Sequence, residues 1–179
     1  MDTNLFHMLD GENLYFKLLS LDDAIAIHRF ASDEKVAKYI GWNLMHNLEE
    51  TLELIEGMIQ KESAGTSLYA SIVHKQTDKV IGTCMFFNFN MEAKHAEIGY
   101  VLSASYWDKG YGSEVVRIMH DYALEYLELH KLHARVVDVN IGSSKVLEKN
   151  GFDLEGCLKD YYFIDDKYYD GLFFGKILS

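Results

Sequence analysis

Residues 96–113 read AEIGYVLSASYWDKGYGS and run directly into EVVRIMHDYALEYLEL at 114–129. The opening part alternates and is rich in Ile, Tyr, Val and Leu, which predicts a strand. Gly110 and Gly112 follow, two residues apart. Val115, Val116, Met119, Tyr122, Ala123, Tyr126 and Leu127 then recur at helical spacing. The order is strand, glycine turn, helix. At such a turn the first free N–H groups of the helix point into the loop, and the positive end of the helix dipole adds to them, so the turn is a candidate anion site. Glycine at 110 and 112 would let a phosphate approach the backbone.

A P-loop requires Gly-Lys-Ser/Thr, and Gly112-Ser113 has no lysine between. A dinucleotide fingerprint requires a third small residue where Val115 stands, and it belongs near the start of a domain rather than past mid-chain. Two readings stay open: a coenzyme A pyrophosphate loop and an ordinary helix start in an α/β domain.

EIGYVLSASYWDKGYGSE, followed by VVDVNIGSSKVLEKNGFDLEG, resembles the GNAT acetyltransferase superfamily, and most of all the branch that acetylates ribosomal-protein N-termini. Gly110 and Gly112 match the two small positions of that family's pyrophosphate loop, with Trp107 where Gln or Arg is usual. Asn140-x-x-Ser143, then Val146-Leu147-Glu148-Lys149-x-Gly151-Phe152, matches the branch, as do NLYFKLLSLDDA at 13–24 and VIGTCMF at 80–86. The resemblance covers nearly the whole chain. It implies acetyl-CoA as co-substrate and no metal. The pantetheine arm would lie along Tyr100, Val101 and Leu102 with help from Asn140 and Ser143. The pyrophosphate would lie on Trp107, Asp108, Lys109, Gly110, Tyr111, Gly112 and Ser113.

The chain as a whole suits that reading. Its 179 residues, 49% hydrophobic and 25% charged, describe one globular domain over 1–179 with a full core. No apolar run reaches membrane-spanning length, and no basic n-region precedes an apolar segment, so a cytoplasmic protein away from membranes is expected. Cys84 and Cys157 stand far apart and suggest reduced thiols, each buried in a strand. The net charge of −11 argues against nucleic acid and favours solubility or cationic partners. An anionic cofactor then needs a locally positive site, for which Lys109, Lys145 and Lys149 are candidates. A monomer or a homodimer is expected.

The pattern predicts a mixed, mostly antiparallel sheet of about seven strands, with helices on both faces and, by the resemblance, a splayed central parallel pair. Leu14, Phe16 and Leu18 alternate as a first strand. Ser20 should cap a helix that carries Asp22 and Asp23 in its first turn and continues through Val36 and Ile40 to Gly41. Asn47 should cap the next helix, closed by Gly65. Strands at 67–74 and 79–88 join through a polar turn. A short strand is expected at 134–139 and a short helix at 142–149, ended by Asn150-Gly151 in a left-handed cap. Residues 152–163 and 168–177 should form a terminal hairpin.

Acetyl transfer requires an amine that loses its proton, donors for the oxygen that gains charge, and help for the leaving thiolate. Glu97 is the candidate base, or else a strand carboxylate paired with Lys94 or His95. A backbone N–H near Val101 or Leu102 is the candidate donor to the oxygen. Many family members carry Tyr four residues before Gly-Phe; that place is Leu147 here, which cannot donate a proton. Ser143 is the nearest substitute, or else the cap of its helix. Tyr161 and Tyr162 are more distant candidates. Asn140 serves the pantetheine or makes an Asx turn. Trp42 lines an acceptor pocket or packs in the core. His130-x-x-His133 lacks a third ligand for a metal. The expected activity is N-acetylation of a protein or peptide α-amine; a small-amine acetyltransferase and a non-catalytic acyl-CoA-binding module are the alternatives.

Overall fold

The computed structural model describes residues 3–40 and 43–178. Its elements, in chain order, are α1 (Thr3–Phe6), β1 (Leu14–Leu18), α2 (Ala24–Ala31), α3 (Glu34–Ala37), α4 (Leu48–Ser63), β2 (Leu68–His74), β3 (Lys79–Asn90), β4 (His95–Leu102), α5 (Tyr111–Glu125), β5 (Lys131–Val137), α6 (Ile141–Lys149), β6 (Asp153–Ile164) and β7 (Lys167–Ile177). The seven strands form one sheet in the order β1-β2-β3-β4-β5-β7-β6. Only β4 and β5 run parallel, as a strand–helix–strand crossover demands.

Strand alternation sends β4 side chains to two cores. Ala96, Ile98 and Leu102 pack with Val116, Met119 and Tyr122 of α5 and with Leu147 of α6. Val101 packs on the other face with Ile27, Phe30, Ile55 and Tyr69, under α2 and α4. α5 is held to β1 by Glu114, a buried carboxylate of its first turn. Its Oε1 accepts from the Asn13 and Leu14 N–H groups at 2.7 and 3.1 Å, and its Oε2 from Asn13 Nδ2 at 3.0 Å. Three donors offset the cost of burying that charge.

The first helical region differs from the expectation. Leu21–Asp23 is a 3-10 turn, and Ser20 makes no side-chain cap. Asp23 is buried and takes Lys17 Nζ at 2.6 Å and Ser71 Oγ at 2.7 Å, so it ties the turn to β1 and β2 instead of serving a helix dipole. The helix breaks after Ala31, where Asp33 accepts from the Lys35 N–H and starts α3. The expected end at Gly41 and the role of Trp42 lie outside the described residues.

Elsewhere local chemistry acts as read. Asn47 Oδ1 accepts from the Glu50 N–H at 2.9 Å, and Gly65 and Gly151 adopt φ of +71° and +76° after their helices. The hairpin turns through Asp165 and Asp166, both with φ near +50°. β5 begins earlier than expected, at Lys131, and ends at Val137. Cys84 is buried, whereas Cys157 is exposed, because β6 is the sheet edge.

Candidate active site

β4 and β5 stay in register for three residue pairs, His95 with Lys131, Ala96 with Leu132 and Glu97 with His133, and then part. β4 goes on pairing with β3 as far as Leu102, and β5 with β7 as far as Val137. The Lys94 carbonyl accepts from His130 and Lys131, and the Ser103 N–H donates to Ile81 of β3. By the two-residue alternation of a strand, Ile98, Tyr100 and Leu102 therefore turn their main-chain polar groups to the gap, and Glu97, Gly99 and Val101 turn theirs to β3. Of the two expected backbone donors, Leu102 opens on the gap. Val101 contributes its side chain.

A cleft of about 1020 Å³ runs through the sheet at this gap. On the α5 face it is lined by Tyr100, Asn140, Ser143 and Leu147. On the α4 face it is lined by Glu97, Arg135, Tyr39, Lys38, Tyr162 and Asp165 among others. Lys38 reaches Asp165 at 3.7 Å, and Tyr39 meets Tyr169 edge-on at 6.1 Å, so the chain just beyond α3 touches the β6–β7 hairpin beside this mouth.

The glycine turn stands at the α5 end of the cleft. Gly110 takes φ +82°, and the Glu114 N–H closes the first helical bond on its carbonyl. The N–H groups of Tyr111, Gly112 and Ser113 precede that bond and have no helical acceptor. A Cβ on Gly112 would stand 3.3 Å from Val146 and 3.6 Å from Tyr100, so this glycine lets α5 approach α6 and β4. The turn is braced. Trp107 Nε1 donates to the Leu102 carbonyl at 2.8 Å, and Lys109 Nζ to the Ser105 carbonyl at 2.8 Å. The Tyr111 hydroxyl meets His74 Nε2 at 3.0 Å, while His74 Nδ1 meets Thr77 at 3.0 Å. Asp108 is held in the left-handed region at φ +57°.

Glu97 is buried, and its partners are neither Lys94 nor His95. Arg135 Nε donates to Oε1 at 2.6 Å, and Asn88 Nδ2 to Oε2 at 2.9 Å. Arg135 also donates to the Tyr161 hydroxyl at 3.0 Å. The Glu97 carboxylate raises the guanidinium's pKa, chiefly through that hydrogen bond. Each carboxylate oxygen keeps a lone pair for a water. Next in the row, His133 Nε2 lies 2.9 Å from His95 Nδ1. Burial, then repulsion from His95, holds the His133 pKa below the ordinary imidazole value. His133 thus pairs with His95 and not with His130.

Asn140, not Ser143, caps α6, its Oδ1 accepting from the Ser143 N–H at 3.2 Å. The Ser143 side chain is released from capping and faces the cleft beside Tyr100. Leu147 is buried at the same wall. Tyr162 lines the cleft, whereas Tyr161 acts through Arg135. Arg135, Asn88 and His74 carry no local motif. They reach the site through strand pairing, and only the in-face placement of His133 and Arg135, two residues apart on β5, could have hinted at it.

The architecture is a sheet opened at one parallel pair, with a helix start facing the opening, and the class of protein that carries it here is a transferase. The family follows. The sequence profile of the Acetyltransferase (GNAT) domain matches residues 13–153. The chain is 35% identical over 150 residues to the uncharacterized N-acetyltransferase p20 of Bacillus licheniformis, covering 84% of each chain. It is 31% identical over 132 residues to the ribosomal-protein-serine acetyltransferase of Escherichia coli, covering 73% of this chain and 72% of that one. The structure of spermidine N-acetyltransferase from Vibrio cholerae, in complex with CoA and spermine, superposes with a TM-score of 0.82 at 21% identity, covering 93% and 96% of the two chains. The chain belongs to the GNAT acetyltransferase family, and it is an N-acetyltransferase. Among the described residues, no helix is long and apolar enough to cross a membrane.

Proposed function

We propose that this chain moves an acetyl group from acetyl-CoA to the N-terminal α-amine of a protein or peptide in the cytoplasm. The observation that carries the reading is the gap itself, which joins a face bearing neutral donors to a face bearing an ionised carboxylate. The main chain of Tyr100, with the Asn140 amide, would hold the pantetheine arm. Trp107, Asp108, Lys109, Gly110, Tyr111, Gly112 and Ser113 would form the pyrophosphate turn. Acetyl-CoA, when bound, supplies an activated thioester carbonyl.

The residues of the chain divide the remaining work. Glu97 draws the amine's proton through a water, since both its oxygens already hold fixed donors. Arg135 and Asn88 keep that carboxylate aimed. The Leu102 N–H would donate toward the oxygen that gains charge as the amine adds. Ser143 supplies a modest further donor.

The α-amine is favoured by arithmetic. Near pH 7 roughly a tenth of an α-amine is already neutral, against less than about a thousandth of a lysine amine. The resemblance to the ribosomal-protein-serine enzyme of E. coli supports the same choice. A polyamine is the second reading, favoured by the Glu34 and Asp165 carboxylates in the cleft lining, which suit a further ammonium group. An acceptor panel at neutral pH tests this: free N-terminal peptides should turn over faster than N-blocked lysine peptides and spermidine. The reverse order would install the small-amine reading.

A further inference from the structure

Two buried side-chain oxygens among the described residues lack a hydrogen-bond partner, Tyr100 Oη and Asp138 Oδ1. Of the two, only Tyr100 lines the cleft. An unpaired buried hydroxyl costs stability, and native proteins rarely keep one without a use for it. This one is held firmly. Its ring lies against the first turn of α5, with Cε2 3.6 Å from where a Cβ on Gly112 would stand. Ser143 interacts with the hydroxyl from the first turn of α6 without completing a well-formed hydrogen bond. Leu147, the next cleft-lining residue on that helix, offers no polar atom.

Resting on the acetyl-transfer reading, we propose that the Tyr100 hydroxyl donates a hydrogen bond to the sulfur that departs as the amide forms, the part that Leu147 cannot play. The amine nitrogen bonds to the acyl carbon, and the carbon–sulfur bond breaks with its electron pair on sulfur. The amine's proton passes by way of Glu97 to water. The thiolate rests against the Tyr100 O–H and takes its own proton from solvent. Burial pushes the Tyr100 pKa up to about 12, against about 8.5 for an ordinary thiol. Full proton transfer from the phenol to a thiolate is therefore uphill by about three orders of magnitude, so Tyr100 acts as a hydrogen-bond donor and not as a general acid.

The ionisation of CoA bound to the protein, followed by thiolate ultraviolet absorbance against pH, reads this directly. In the wild type the bound thiol should ionise at lower pH than free CoA. Tyr100→Phe should raise that pKa by about one unit, equal to about a tenfold loss of affinity for the thiolate form. Affinity for the protonated thiol should stay within about twofold, and kcat should fall about tenfold. Because the phenylalanine removes an unpaired hydroxyl, Tm without ligand should hold or rise. Equal bound-thiol pKa values in the two proteins would overturn the inference, as would a fall in Tm together with weaker CoA binding at every pH. A wild type that binds no CoA would overturn the acetyl-transfer reading instead.

Discussion

The two mouths of the cleft are made of different materials. On the α5 face the lining is neutral: two hydroxyls, an amide, a leucine and free main chain beside a helix start. On the α4 face it is ionised: Glu97 with Arg135 and Lys38 with Asp165. Fixed dipoles suit a carbonyl and a sulfur that gain charge only during the reaction. Removing a proton from an amine instead requires a group that is charged beforehand and reaches water. The sheet keeps the two environments apart, and the β4–β5 gap lets them meet.

Breaking the ionised side should have the largest effect. Glu97→Gln keeps the shape and a partner for Arg135, yet kcat should fall by about 10²–10³-fold. CoA affinity by calorimetry should stay within about twofold, because Glu97 faces the other mouth. A variant of full rate would return Glu97 to a structural role. Breaking the neutral side comes next. Gly112→Asp puts a carboxylate at the first turn of α5 and a Cβ 3.3 Å from Val146. CoA affinity should fall by about tenfold to a hundredfold in a protein that still folds. Unchanged affinity would remove the turn from cofactor binding. Ser143→Ala sharpens the comparison further, with a loss of about tenfold in kcat, small beside that of an essential acid.

Much of this was legible in the chain because it is local. The glycine turn, the Asn47 and Gly65 helix ends and the 153–177 hairpin each rest on neighbours within a few residues. The first helical region was misjudged because Asp23 is claimed by Lys17 and by Ser71 on β2, a contact that no local pattern announces. The same limit hid Arg135, 38 residues from the carboxylate that it orients. Asn140 and Ser143 stand three residues apart in the sequence, and which of them caps α6 depends on how the chain leaves β5. Cys157 was misplaced because composition does not say which strand lies at the edge.

The smallest effect concerns the histidine pair. The folded pKa of His133 is lowered, so as pH falls the unfolded chain takes up its proton first. The stability contributed by this site is full above the ordinary imidazole value of about 6.5 and is lost as pH drops from there through the lowered folded value. Partial exposure keeps the change small. Between neutral pH and about pH 5, the wild type should lose about 1–2 °C more in Tm than His133→Gln. Equal slopes would show that the ring's environment does not matter to stability.

In the proposed mechanism, cofactor and acceptor enter from opposite faces and meet in the β4–β5 gap. A conjugate in which a short peptide's N-terminus is joined through an acetyl bridge to the sulfur of CoA would span both mouths at once. Calorimetry should find it bound at least about a hundredfold more tightly than CoA alone, since the second contact becomes intramolecular. It should also compete with CoA and with free peptide alike. A conjugate that binds no better than CoA, or that competes with CoA but not with peptide, would contradict the claim.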